Sequence, residues 1–160
     1  MKQHVRPVLA ALVLAATVLA APPSRATAGP PLALSINGTL DFTLVSSNVV
    51  YPVLYEAYDF EGSLGDLGPV LGVAHEDINL LTANTEYLYL TSSFTIVTAG
   101  GDQLFGKSVG YIDQVYGTIH EIVTITGGTG AYRRASGSAT GVGSLATGSE
   151  AFTGTVYLPR

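Results

Sequence analysis

Tyr87-Leu88-Tyr89-Leu90-Thr91-Ser92-Ser93-Phe94-Thr95-Ile96 is the stretch on which the fold turns. Leu88, Leu90, Phe94 and Ile96 alternate with Tyr87, Tyr89, Thr91, Ser93 and Thr95. A period of two places one set on each face of a pleated strand. The same alternation recurs on both sides of this stretch. Leu40, Phe42 and Leu44 alternate with Asp41, Thr43 and Val45; Ile119, Glu121, Val123 and Ile125 alternate with His120, Ile122, Thr124 and Thr126. Phe152, Val156 and Leu158 alternate with Thr153, Thr155 and Tyr157. No segment beyond residue 28 carries a 3.6-residue apolar period. All 19 glycines fall beyond that point, spaced as turns and bulges require, and no proline interrupts residues 70–157. The spacing predicts eight strands, at about 34–45, 48–56, 69–76, 86–97, 103–111, 118–126, 136–145 and 150–158, with residues 61–68 as a loop. Short sequential strands with short connections predict an antiparallel barrel or a sandwich. Eight strands is the number at which a closed barrel holds a packed interior or one small ligand.

The N-terminus reads differently. Lys2, His4 and Arg6 precede an uncharged apolar run from Val8 to Ala21, then Pro22, Pro23 and Ala26-Thr27-Ala28. That order is a secretory leader with a small-residue cleavage pattern. Its apolar run is shorter than the roughly 20 residues a spanning helix needs, which argues against a membrane anchor. Residues 1–28 are therefore expected to be a signal peptide, cleaved after Ala28 or, as second choice, after Ala26. Residues 29–160 are expected to form one secreted domain. The chain has no cysteine, so packing and hydrogen bonds alone must hold that domain. All twelve acidic residues lie in residues 29–160, against only Lys107, Arg133, Arg134 and Arg160. Such a charge balance repels nucleic acid and anionic lipid, and neither is expected as a partner.

Several motifs lose their meaning in this context. Gly101-Asp102-Gln103-Leu104-Phe105-Gly106-Lys107-Ser108 spells the phosphate-loop pattern, which needs a helix beginning at the lysine. Val109, Gly110, Tyr111 and Ile112 are poor helix material, so a hairpin turning at Gly100-Gly101-Asp102 is the expectation. Gly106-Lys107-Ser108-Val109-Gly110, followed by Asp113 and His120, spells a hydrolase elbow, but that turn joins a parallel strand to a helix. Gly141 to Ala146 fits a loose dinucleotide pattern without its helix. No cofactor and no metal are expected: His75, Glu76 and Asp77 are adjacent on one strand, as are His120 and Glu121, and neighbours point to opposite faces. A pair formed by His75 and His120 is left open. Asn37-Gly38-Thr39 matches a glycosylation acceptor and equally a tight turn.

Nine tyrosines and no tryptophan suggest a candidate site. Tyr51, Tyr55, Tyr58, Tyr87, Tyr89 and Tyr111 either line a cavity for an aromatic or polyene ligand or cover an outer sheet face. Glu56, Asp59 and Glu61 beside Tyr55 and Tyr58 form the densest acidic and aromatic group. A carboxyl buried there would have a raised pKa and serve as acid or base.

Residues 125–143 run Ile-Thr-Gly-Gly-Thr-Gly-Ala-Tyr-Arg-Arg-Ala-Ser-Gly-Ser-Ala-Thr-Gly-Val-Gly. This resembles the I-x-G-G-T-G-x-[FY]-x-x-A-[ST]-G signature of the allene oxide cyclase-like and dirigent-like barrel superfamily, which also recurs in secreted bacterial proteins of unassigned role. Gly101-Asp102-Gln103-Leu104 resembles the hairpin of those bacterial relatives. The resemblance covers mainly residues 86–158. It implies an eight-stranded antiparallel barrel, with Tyr132 plugging it and Gly127, Gly128 and Gly130 adopting positive φ in the connection. Three classes of function are expected. The first is a barrel that binds a small hydrophobic or aromatic ligand without turnover, or serves structurally. The second is an isomerase, cyclase or dirigent-type protein steering a reactive intermediate in the lumen. The third is a self-associating module, since barrels of this kind form homo-oligomers. For the enzymatic class the candidate residues are Glu56, Tyr58, Glu86, Tyr111 and Arg133.

Overall fold

The computed structural model describes residues 29–82 and 85–160, with the side chain of residue 82 excepted. The expected leader, residues 1–28, lies outside the described residues. Eight antiparallel strands close into a barrel in chain order: β1 (Leu32–Val50), β2 (Val53–Leu64), β3 (Pro69–Asn79), β4 (Tyr87–Thr98), β5 (Gln103–Asp113), β6 (Thr118–Gly128), β7 (Ser136–Ser144) and β8 (Ser149–Leu158). Strand β1 pairs with β8, from Leu32 opposite Leu158 to Asp41 opposite Ser149, which completes the circle. Closure leaves no free edge between β1 and β8 over that span. No helix among the described residues is long and apolar enough to cross a membrane.

Alternation decides what fills the lumen. The main core gathers Ile36, Leu40, Phe60, Leu64, Val70, Ile96, Leu104, Ile125 and Val156, with Leu64, Leu104 and Val156 almost wholly buried. A smaller cluster of Ile78, Leu90 and Ile112 lies toward the other end, with Leu54, Leu88 and Ile119 packed on it. Wide residues meet small ones across the strands. Phe60 stands opposite Gly72, Phe94 opposite Gly106, and Phe152 opposite Gly141. A Cβ at Gly72 would fall 2.1 Å from the Phe60 ring, and one at Gly106 would fall 2.2 Å from the Phe94 ring. A narrow barrel fills itself by setting large residues against small ones, and here glycine supplies the space.

The two ends differ. At the end carrying the β2–β3, β4–β5 and β6–β7 connections, a 3₁₀ turn at Gly65–Leu67 buries Leu67, and another at Gly130–Tyr132 sets Tyr132 against the core. Gly127 and Gly130 have φ of 150° and 50°, as the signature implies. Gly128 does not: what its position demands is closeness, since a Cβ there would lie 2.2 Å from the Gln103 carbonyl. At the opposite end β1 outruns its neighbour. Its pairing with β8 stops at Asp41, yet it continues beside β2 to Val50, with an irregularity between Leu44 and Ser46.

That extension corrects the expected strand limits. Residues 46 and 47 continue β1 rather than separate two strands, residues 48–50 continue it rather than open β2, and the turn falls at Tyr51-Pro52. Residues 61–64 belong to β2, so the expected loop shrinks to residues 65–68. The Val45-Ser46-Ser47 run reads as a break in the alternation because a bulge shifts its phase by one residue. The segment that spells the phosphate loop is the β4–β5 hairpin, with Lys107 exposed on β5 and no helix.

Candidate functional site

A belt of polar side chains crosses the lumen between the two apolar clusters. Glu56 on β2 stands opposite Glu76 on β3, Glu76 opposite Ser92 on β4, and Ser92 opposite Ser108 on β5. Glu121 on β6 and Glu150 on β8 complete it, with Gly110, Gly141 and Gly143 as their cross-strand neighbours. Those glycines make the space the carboxyl arms occupy: a Cβ at Gly141 would lie 2.2 Å from Glu150 Oε1. Each glutamate occupies an inward strand position, in phase with apolar neighbours such as Ala74 and Ile78, Val123 and Ile125, or Phe152.

The belt is linked by hydrogen bonds. Ser108 donates to Glu121 Oε1 at 2.5 Å, which leaves Ser92 to donate to Ser108 across 2.7 Å. The Glu121 and Glu150 carboxyls hydrogen-bond to each other. On β2 the Tyr58 hydroxyl donates to Glu56, and Ser47 donates to the other Glu56 oxygen at 3.3 Å. Glu150 Oε1 is buried with no partner.

Burial governs the protonation of these groups. Glu76 is pushed up to about 7, first by loss of water and then by the charges of Glu121 and Glu56. Glu150 is pushed up to about 9, again chiefly by burial, with Glu121 and Glu76 adding like charge. Glu121 is raised by burial against the opposing pull of its hydrogen bonds from Ser108 and Glu150. Glu121 and Glu150 therefore titrate as one coupled pair whose ionisation is held above the usual carboxylate range. Tyr58 is also held in its neutral form by burial and its bond to Glu56. The described basic residues, Lys107, Arg133, Arg134 and Arg160, are all exposed. No described cation therefore enters the lumen to balance these carboxyls.

Two cavities meet the belt. An inner one of about 40 Å³, room for a few waters, is walled by Phe42, Phe60, Phe94 and Phe152 with Glu76, Ser92 and Glu121. A mouth cavity of about 230 Å³ lies where β1 leaves β8, beneath the β7–β8 turn. Leu44, Tyr58, Ile119 and Leu145 form its apolar sides, and Glu76 and Glu150 reach it. Phe42 and Glu76 line both spaces.

The sequence candidates divide. Glu56 and Tyr58 come together at the belt. Glu86 is exposed at the rim, where it accepts from the Tyr87 hydroxyl at 3.2 Å. Tyr111 lies on the outer face, between Tyr87 and His120 at ring distances of 5.2 and 5.0 Å. Arg133 is exposed beside the plugged end. These three are not parts of one site with Glu56. Of the six tyrosines considered as cavity lining, Tyr58 alone enters the lumen cavities; Tyr51, Tyr55 and Tyr89 are exposed on the outside. His75 and His120 lie on outward positions of β3 and β6, with two strands between them. Among the described residues no group of three His, Cys, Asp or Glu is arranged to hold a metal ion. Ser108 meets Glu121 rather than a histidine, which removes the hydrolase elbow.

Sequence reasoning missed Glu150 and Ser92, and it weighed Glu76 and Glu121 only as metal ligands and Ser108 only as a nucleophile before setting them aside. Their signal was present: a polar residue in the apolar phase of a strand. Fold and site together define a closed antiparallel eight-stranded barrel with an acidic lumen and a mouth cavity that reaches it. No protein-family model matches this sequence, and no curated protein is significantly similar to it.

Proposed function

We propose that this chain is an exported barrel of the allene oxide cyclase-like and dirigent-like kind that binds a small, largely apolar molecule at its mouth. The observation that carries the reading is the cavity of about 230 Å³ with apolar sides and two carboxyl-bearing residues reaching it. Ligand sites are typically apolar hollows in which a few polar groups fix orientation. The mouth is small by that standard, which favours a single-ring molecule over a large one. The inner lumen is packed with phenylalanine, so the ligand rests above the belt.

A second reading, an isomerase or cyclase working by confinement, draws support from the protons held by Glu76 and by the Glu121–Glu150 pair. A carboxylic acid kept neutral near pH 7 is a general acid for a bound oxygen.

Backbone amide NMR with benzyl alcohol as the probe tests the binding reading. The expected result is saturable shifts clustered at Leu44, Tyr58, Ile119 and Leu145. Absence of shifts, or shifts scattered over the outer face, contradicts it.

A further inference from the structure

We infer that the molecule taken at the mouth carries a primary ammonium group, seated on Glu150 and Glu76, with its hydrocarbon or aromatic body against Leu44, Tyr58 and Ile119. The inference rests on the binding reading and names the ligand's chemistry.

The first argument is a count of donors and acceptors. Glu76, Glu121 and Glu150 bring six carboxyl oxygens into one layer of the lumen. The belt's hydroxyls are committed: Ser92 to Ser108, Ser108 to Glu121, and Tyr58 to Glu56. The Glu150 proton is committed to Glu121. Acceptors remain in excess, and one of them is fully identified. Glu150 is only 5 % exposed, and its Oε1 has no partner. The layer is thus short of donors, and a ligand that donates at the carboxyls lining the mouth suits it.

The second argument is charge. Among the described residues, every titratable or charged group facing this layer is acidic or phenolic: Glu56 and Tyr58 from β2, Glu76 from β3, Glu121 from β6, Glu150 from β8. Strands β4 and β5 contribute serines, and β7 contributes glycines. An ammonium brings three donors and one positive charge, and so takes the place of a proton held among these carboxyls. A guanidinium is a wider, planar group that the narrow mouth suits less well. A neutral alcohol satisfies the acceptor without relieving the repulsion.

Binding must then release protons. As pH rises past the range in which Glu76 ionises, a cation meets a carboxylate without having to displace a proton, and affinity increases. The experiment compares benzylamine with benzyl alcohol, by amide NMR at about pH 6 and pH 8. The expected result is that benzylamine binds at the mouth about tenfold or more tightly than the alcohol at pH 8, as charge-assisted hydrogen bonding implies. It should also bind more tightly at pH 8 than at pH 6. Glu150→Gln and Glu76→Gln, each with an unchanged barrel circular dichroism spectrum, should narrow the gap between the two probes. Equal affinity for amine and alcohol at the mouth overturns this inference and leaves the binding reading standing. Failure of both probes to bind overturns the two together.

Discussion

A Cβ added at Gly141 would lie 2.2 Å from Glu150 Oε1 and 2.8 Å from the Phe152 ring, closer than atoms pack. Gly141→Ala must therefore displace the carboxyl, the ring or the strand. It should destabilise the protein by about 1–3 kcal/mol in urea unfolding, as overpacking does. Gly143→Ala, whose Cβ would meet Glu150 at 3.2 Å, should cost clearly less. Gly141→Ala matching or exceeding the parent's stability would show that Glu150 does not occupy that space. The glutamates were partly legible at this scale. Glu121 sits in the sequence among Ile119, Val123 and Ile125, in phase with them, and a charged residue in an apolar phase is a cue to a lumenal polar group. The cue that led instead to Glu86, Tyr111 and Arg133 was aromatic and charged composition, which says nothing about which way a side chain points.

On a single strand the two faces have different worth. Ile125 is 3 % exposed in the core, whereas Ile122, three residues away on β6, is 61 % exposed on the outside. Ile125→Ala should cost about 2–5 kcal/mol, the usual penalty for emptying a core site. Ile122→Ala should stay within about 1 kcal/mol, the span of strand propensity. Equal costs in chemical denaturation would mean that the inward and outward assignments of β6 are wrong. Strand identity was largely readable, because period two and glycine punctuation are local. The β1–β2 boundary was not, because the irregularity near Val45 breaks the phase without ending the strand. Register was not readable either. Alternation says that Glu76 and Glu121 face inward, but only pairing across strands brings them to the same height as Ser92, Ser108 and Glu150.

Across the whole barrel, closure turns these separate positions into one low-dielectric space, and this gives the molecule a definite response to pH. A glutamate ordinarily ionises near 4.5, whereas in the fold Glu76 keeps its proton up to about 7 and Glu150 up to about 9. Between those values the folded chain binds more protons than the unfolded one, so stability falls as pH rises. The contribution is complete below about 4.5. It is lost as pH passes through the folded values, by at most about 1.4 kcal/mol per pH unit for each group. Surface carboxylates add repulsion of the same sign, and replacing the lumenal pair separates the two effects.

Urea unfolding at about pH 5 and about pH 8, on the parent and on the Glu76→Gln/Glu150→Gln variant, tests the acidic lumen directly. The expected outcome is a parent midpoint clearly lower at pH 8 than at pH 5, and a variant in which most of that drop is gone. A parent midpoint that holds level or rises, or a variant that falls just as far, would contradict the placement of these carboxyls inside a closed barrel.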